Sequence, residues 1–377
     1  MKIGVIGAGV SGIIFAIKRK MDHPKDEVIV FEHLDKPLKK ILSTGNGKCN
    51  IGNQNPLPND SKNAIVEHIL TKYDFKAQKE FLNSLNIKTK LVNGLSYPIS
   101  ESAITVRNLL LQSCEQFGVQ IITEIELKEY KFKDQQIELN TSNGNYIFDK
   151  LIFATGGKSS PKLGSDGSIL PLLAEHGYRL NEFQPALCPV YTKEKTRLLD
   201  GTRVKAKVTL LRNSKECFIE EGEVLFKEHG LSGIVIFNAS RVIACDIKSS
   251  YLFTIDLLPQ ISEEELAIFL NEKGRDVLLD SYLHPNLVKY INSLNIKDDK
   301  LPSLLKSLPF TFDKLYGFDF SQVSVGGIKF QDVDNTLQSK IESNVYFLGE
   351  LLDYSAPCGG YNLMWAIGTA LFLSEKM

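Results

Sequence analysis

One stretch near the start constrains the fold more than any other feature. Between residues 2 and 32 the chain carries a strand, three spaced glycines, a helix, a second strand and an acid, in register. Ile3–Ile6 is a short apolar strand, and Gly7, Gly9 and Gly12 supply the spacing G-x-G-x-x-G. An apolar-faced helix follows, and Val28–Phe31 is a second strand ending at Glu32. The first glycine permits a tight turn, the second lets backbone approach a pyrophosphate, and the third lets helix and strand pack closely. Around Ala8, Val10 and Ser11 the helix offers unpaired N–H groups and a positive dipole end to phosphates. Glu32, 20 residues after Gly12, is placed to accept hydrogen bonds from both ribose hydroxyls and would repel a 2′-phosphate. The pattern predicts an α/β chain with a Rossmann-like dinucleotide domain.

Later segments bear on which dinucleotide. Leu151–Ala154 is an apolar strand running into Thr155 and Gly156 of ATGGKSS. Val345–Leu348 is another, running into Gly349, Glu350 and Asp353 of GELLD, with CGGYN and the helical LMWAIGTALFL after it. The nucleotide core is thus split, its last strand and helix following a long insertion. Such a layout suits an elongated cofactor whose far half draws contacts from distant parts of the sequence, so FAD fits better than NAD. Asp353 is a candidate for a ribityl hydroxyl. Gly359, Gly360, Tyr361, Asn362 and Leu363 are candidates to present a helix start to a flavin ring. The stretch STGNGKCN at 43–50 reads as a cofactor loop. In it Gly45 and Gly47 allow close backbone approach, while Ser43, Thr44 and Asn50 are donors. Lys39 and Lys40 offset phosphate charge, and His33 and Cys49 complete the candidate contacts.

These residues resemble a known family. GAGVSG, KKILSTGNGKCN, ATGGKSSPKLGSDG, PALCPV, GEVLFKEHGLSG, VSVGGI and GELLDYSAPCGGYNLMWA run from residue 4 to about 370. They look like the bacterial FAD-dependent oxidoreductases of the aminoacetone-oxidase-like or 3-dehydro-bile-acid reductase-like (BaiN/YhiN-like) group. KKILSTGNGKCN and CGGYNLMWA are the most specific of them. More distantly, the layout is similar to flavoproteins that modify tRNA uridines and to fumarate-reductase-type enzymes. The resemblance implies FAD, redox chemistry, and a flavin domain interrupted by a β-barrel that is itself interrupted by helices. It implies an adenine contact from the backbone of Leu127, and a substrate cleft between the flavin ring and the insert. It says little about the substrate. Two departures bear on loop shape and substrate charge: Leu38 stands where the family has a glycine, and Leu95 where a basic residue is usual.

Strand and helix patterns give matching boundaries. Residues 1–187 form the first part of the FAD-binding domain, with helical periodicity over 61–86 and short strands over 119–140. Residues 188–260 start the barrel, and 261–317 form a helical insert announced by SEEEL and interrupted at Pro285 and Pro302. Return strands of the barrel are expected over 318–344, and the last strand and helix of the FAD-binding domain over 345–377. Forty-four basic against 45 acidic residues give a net charge of -1, which argues against broad nucleic-acid binding. No run of about 18 apolar residues suggests a membrane span. The six cysteines lie without CxxC or metal-finger spacing, so reduced thiols, a cytoplasmic location and no metal site are expected.

Candidates for chemistry are few. His229, in KEHGLSG, is a candidate proton donor, and Tyr97 a candidate to stack on substrate or ring. Cys49 and Cys358 lack the spacing of a redox pair and read as small packing residues, and Met364 and Trp365 as core. The expected function is an FAD-dependent oxidoreductase moving a hydride between flavin N5 and a small organic substrate, with NAD(P)H the reductant considered. The alternatives are a flavoprotein acting in tRNA modification and a non-catalytic flavin-binding protein.

Overall fold

A computed structural model of the chain describes residues 1–57 and 63–377. The chain divides into two compact units, Met1–Phe183 with Val323–Met377, and Gln184–Gln322. The first two residues of the expected 61–86 helical stretch lie outside the described residues; the rest forms helices Ala64–Lys72 and Phe75–Ser84.

The first unit is built on a five-stranded sheet. Its order is Val345–Phe347, Lys150–Phe153, Lys2–Ile6, Glu27–Phe31, Gln120–Ile122. All neighbours are parallel, with Ile3 opposite both Val28 and Lys150, and Leu151 opposite Val345. Parallel strands need both faces covered, which is why KIGVI, EVIVF and KLIF are apolar in nearly every position. Helices Val10–Asp22 and Tyr361–Lys376 pack against one another. Their apolar residues, Ile13 to Ile17 and Ile367 to Leu373 among them, are buried. On the sheet a three-stranded meander, Leu127–Lys133, Gln136–Thr141 and Gly144–Phe148, reaches the first strand. A Cβ on Gly4 would lie 2.9 Å from the Phe148 ring. Buried Arg19 is paired with Asp26 at 2.7 Å, and Asp26 also takes the N-terminal ammonium at 2.7 Å. The ordered N-terminus is thereby tied to the first helix.

The second unit is a closed six-stranded barrel. Its order is Val190–Thr192, Gly230–Ser232, Lys215–Lys227, Arg203–Arg212, Tyr251–Asp256, Leu308–Leu315, and the last strand closes on the first. Alternate residues of Arg203–Arg212 (Ala206, Val208, Leu210) and of Tyr251–Asp256 (Tyr251, Phe253, Ile255) fill the interior, as period-2 strands require. Helices Glu263–Lys273, Arg275–Tyr282, Pro285–Ser293 and Leu301–Lys306 follow. The SEEEL start is a full capping box: Glu265 N–H donates to Ser262 Oγ at 3.1 Å, and Ser262 N–H to Glu265 Oε2 at 2.8 Å. Pro285 and Pro302 sit in the first turns of their helices. There the missing N–H costs nothing, so they begin helices where an interruption was expected.

Three features differ from the sequence reading. The closing barrel strand is Leu308–Leu315, inside the segment expected to be helical. VSVGGI, expected to return to the barrel, is strand Val323–Ile328 of the first unit, beside Leu180–Ala186. Its glycines explain why: a Cβ on Gly326 would meet Glu182 O at 2.6 Å, and one on Gly327 would meet Leu351 O at 2.3 Å. Two backbones therefore close in on this strand. The third feature is helix Ile234–Cys245, within the 188–260 stretch that was read as the start of the barrel. Its buried residues, Val235, Ile236, Ala239, Ile243 and Ala244, recur at helical spacing. Packing of that face on strand Lys215–Lys227, where a Cβ on Gly222 would lie 2.6 Å from Val235, outweighs the strand preference of Ile and Val.

Candidate functional site

The carboxyl ends of the central strands converge on the glycine turn. Gly7 has φ +104, and an added Cβ would meet Ala154 O at 2.5 Å; on Gly12 it would meet Gly7 O at 2.1 Å. Both glycines are required by protein packing alone. Gly9 differs: a Cβ there meets nothing within 4 Å, and no side chain caps the helix that Gly9 begins. Packing does not require a glycine at this N-cap position, and its bareness suits a group that the protein does not itself provide. Glu32, buried, accepts Ala8 N–H on Oε2 at 3.0 Å and Leu34 N–H on Oε1 at 3.0 Å. Oε2 keeps a lone pair for a ribose hydroxyl. His33 Nδ1 lies 3.2 Å from Glu32 Oε1, and this bond raises the imidazole above its ordinary value against the opposing effect of burial. Behind the turn, Thr155 Oγ1 and Ser165 Oγ are buried without a hydrogen-bond partner. A Cβ on Gly156 would come 3.0 Å from Ser165 Oγ. Two orphaned hydroxyls beside an open glycine and an ordered carboxylate fit the adenosine diphosphate half of FAD.

Across the strand ends, Gly349 donates to Thr369 Oγ1 at 3.1 Å, and a Cβ on it would lie 2.9 Å from Ser11 Oγ. Leu127 begins the meander opposite Thr141. The preceding Ile125 N–H donates to Glu32 O at 2.9 Å, so this backbone runs beside the acid.

Polar residues of the second loop turn mostly inward. Within Lys40–Gly47 the Ser43 hydroxyl donates to Lys40 O at 2.9 Å and that of Thr44 to Ile41 O at 2.6 Å. Lys39 is paired with Asp35 at 2.5 Å. Asn50, its amide oxygen turned to Gly360 N–H at 3.2 Å, donates to Gly52 O at 2.9 Å and Ser96 O at 3.2 Å. Where ligand donors were expected, these side chains hold the loop's own shape. Gly45, at φ +56, passes within van der Waals reach of Tyr97: an added Cβ would lie 3.6 Å from its ring. Gly47 is also left-handed, with φ +84.

The third loop behaves like the second. Asp353 Oδ1 accepts Gly326 N–H at 3.1 Å and Oδ2 accepts Asn181 Nδ2 at 2.5 Å, so its carboxylate braces the Val323–Ile328 strand. Asn362 grips the preceding turn, accepting from Ala356 N–H and donating to Ala356 O, both at 2.8 Å. Tyr361 donates to Pro56 O at 3.3 Å. Gly359 and Gly360 have φ +121 and +90, and a Cβ on Gly360 would meet Gly52 O at 2.8 Å. The 16-residue helix Tyr361–Lys376, which includes Leu363, thus starts on bare backbone.

The remaining candidates separate. His229 is in the turn between the Lys215–Lys227 and Gly230–Ser232 strands of the second unit, 68% exposed and 3.9 Å from Glu228. Tyr97 is half-buried in the first unit. Cys49 is fully buried, and burial pushes its thiol up to about 11, too high for a ready thiolate. No disulfide joins it to Cys358. Met364 and Trp365 are buried, and Trp365 Nε1 donates to Gly349 O at 2.9 Å. Among the described residues no cluster has the makings of a metal site, and no helix is long and apolar enough to cross a membrane. Sequence reasoning missed Ser159, Ser165 and Ser324. Ser159 stands two residues after the ATGG turn and Ser165 eight, both legible as polar residues, but only the fold brings Ser324 to Ser159, through Glu350 Oε1.

A model of the HI0933-like protein Rossmann domain matches residues 1–376. The chain is 29% identical to a 3-dehydro-bile acid delta(4,6)-reductase of Clostridium scindens, over 98% of this chain and 97% of that protein. It is 24% identical to a ribosomal RNA dihydrouridine synthase of Haemophilus influenzae, over 97% and 96%. Among solved structures it is similar to a 3-ketosteroid-delta4-(5alpha)-dehydrogenase of Rhodococcus jostii RHA1, at 11% identity and TM-score 0.48, covering 99% of this chain and 96% of that one. The chain belongs to the HI0933-like Rossmann family and is an oxidoreductase.

Proposed function

We propose that the chain is an FAD-dependent reductase of carbon–carbon double bonds conjugated to a carbonyl, acting on a small organic molecule. The observation that carries the cofactor is the bare Gly9 beside the ordered Glu32 carboxylate and two orphaned hydroxyls. The bond type is supported by what the relatives' names share. A 3-dehydro-bile acid delta(4,6)-reductase saturates a ring next to a ketone, and a dihydrouridine synthase saturates a uracil ring next to a carbonyl. When bound, FAD supplies the two-electron carrier for such a reduction.

The chain's own residues bind and orient. The Gly7–Gly12 turn and the start of the Val10–Asp22 helix hold the pyrophosphate, and Glu32 selects a ribose without a 2′-phosphate. The N-terminus of the Tyr361–Lys376 helix lends its dipole to negative charge on the ring half of the cofactor. A proton must reach the carbon next to the carbonyl. Tyr97 and His229 are the two candidate donors, and Tyr97 is the one in the same unit as the cradle. With 44 basic against 45 acidic residues, a small molecule is favoured over RNA.

For the electron donor, the first unit holds the one glycine-turn nucleotide fold among the described residues. NAD(P)H, as reductant, then has no domain of its own. It uses the substrate's place and leaves before the substrate arrives, giving ping-pong kinetics. The test is to purify the protein, identify the released cofactor, and follow anaerobic oxidation of the reduced protein. The acceptors are a 3-oxo-4-ene steroid acid and a uridine-containing RNA. FAD released and steroid enone consumed is the expected outcome. FMN or NAD released, or a reduced protein that neither enone reoxidises, overturns the reading. Consumption of the RNA alone moves the substrate to uridine.

A further inference from the structure

Glu350 and Lys40, both first read as contacts for the cofactor, meet each other. Lys40 Nζ donates to Glu350 Oε2 at 2.8 Å and to Ser159 Oγ at 2.7 Å. The other carboxylate oxygen, Oε1, accepts Ser324 N–H at 2.7 Å and lies 3.2 Å from the Ser159 hydroxyl. Ser324 Oγ in turn accepts Lys158 N–H at 2.8 Å. The lysine and carboxylate side chains are 28% and 20% exposed. The backbone is shaped around the pair, since a Cβ on Gly157 would lie 2.8 Å from Glu350 Oε1. Four separate segments therefore meet on one carboxylate: the 40–47 loop, the turn after Lys150–Phe153, the Val323–Ile328 strand, and the turn after Val345–Phe347. Two of these turns leave the carboxyl ends of neighbouring parallel strands, the edge at which such sheets hold ligands.

We propose that Glu350 is a positioning residue that fixes Lys40 and cancels its charge, so that the pair sets the electrostatic potential at the flavin without binding it. Taken singly, a half-buried lysine at this edge favours the more negative, reduced cofactor, and a half-buried carboxylate disfavours it. Held 2.8 Å apart, the two present a dipole whose net charge is zero. Removing one partner exposes the charge of the other, and removing both restores neutrality. The inference rests on the FAD reading above.

The experiment measures the midpoint potential of the bound flavin and the Kd of FAD for the holoprotein and four variants. Glu350→Gln leaves Lys40 uncompensated and raises the potential. Lys40→Met leaves Glu350 uncompensated and lowers it. Each shift is expected at about tenfold in the ratio of affinities for oxidised and reduced cofactor, or about 30 mV for a two-electron couple. Lys40→Arg keeps the charge and the potential. The double variant E350Q/K40M returns towards the parent. Should Glu350→Gln fail to fold, the contrast between Lys40→Met and Lys40→Arg decides alone. Potentials unchanged in every variant, with only melting temperatures lowered, would make the network structural and overturn the inference while leaving the FAD reading in place. A parent protein that binds no FAD overturns that reading, and this inference with it.

Discussion

The Gly7–Gly12 turn and the 43–50 loop were both read as cofactor contacts, and the structure treats them oppositely. The turn is built by backbone: Gly7 and Gly12 clear room for other main-chain atoms, and Gly9 is left bare. In the loop, the polar side chains of Ser43, Thr44 and Asn50 bond to carbonyls of the protein. A backbone site leaves its mark as glycine spacing, since only glycine permits the approach. A side-chain site leaves a mark that is ambiguous, because a hydroxyl that serves a ligand and one that serves a turn are the same residue.

The largest test of this contrast is within the turn itself. Gly12→Val forces side-chain atoms into Gly7 O, 2.1 Å from where a Cβ would stand, and costs about 3 kcal/mol or more. The expected outcome is loss of soluble folded protein or a strongly lowered melting temperature. Gly9→Ala has open space, so the apoprotein should lose no more than about 1 kcal/mol, the difference between glycine and alanine as an N-cap, while FAD affinity falls at least tenfold. Equal damage from both substitutions would erase the distinction between a glycine kept for packing and one kept for a ligand.

Glu32→Arg comes next. The carboxylate accepts two backbone N–H groups and is buried, so replacing it by a donor leaves Ala8 N–H facing a cation. Loss of a charged acceptor costs about 1.5–3 kcal/mol, and FAD retention should fall by one to two orders of magnitude on the same arithmetic. Unchanged retention by equilibrium dialysis would remove Glu32 from the ribose site.

How much was legible follows from the same contrast. The parallel sheet, its split last strand and the barrel's alternating strands follow from local periodicity, and local periodicity is written in the sequence. Helix Ile234–Cys245 was hidden because Ile and Val favour strands, and only contact with Lys215–Lys227 reverses that preference. The place of VSVGGI was hidden for another reason. Its glycine pair is explained by Glu182 O and Leu351 O, atoms 144 and 24 residues away in the chain, beyond any local pattern. The partners of the Asp353 and Asn362 side chains, Gly326 and Ala356, were hidden on similar grounds, since they become neighbours only after folding.

A smaller effect tests whether the ribose end of the turn is a charged network. His33 is held above its ordinary value of 6.5, first by its bond to Glu32, with burial opposing and the charges of Glu32, Asp166 and Glu126 adding. A raised value in the folded state means that protonated His33 stabilises the fold. This contribution is complete below pH 6.5 and fades as pH rises through the higher folded value. His33→Asn should remove the slope in melting temperature over that window, and His33 is exposed enough for salt to weaken it. Parallel pH profiles for parent and variant would show that the pair contributes nothing.

The smallest expected change is at Leu38, where the family has a glycine. Leu38 has φ +58 and its side chain is buried, while its N–H donates to Ala8 O at 2.9 Å, within the glycine turn. Two opposing effects meet at this residue. A left-handed leucine costs about 1–2 kcal/mol in backbone strain. Burial of its side chain returns about 1.5–3 kcal/mol. Leu38→Gly removes both and adds about 0.5–1 kcal/mol of chain entropy to the cost of folding. The sum is a loss of about 1 kcal/mol, a fall of a degree or two in melting temperature for a chain of this size. Cofactor affinity should hardly change, because the bond from residue 38 to Ala8 O belongs to the backbone and survives the substitution. A loss beyond about 3 kcal/mol would show that the side chain, through packing, is what holds the loop against the turn. A gain in stability would show that strain dominates and that glycine is the better residue there. Either result says which of the two kinds of site this junction is, one set by backbone or one set by side chains.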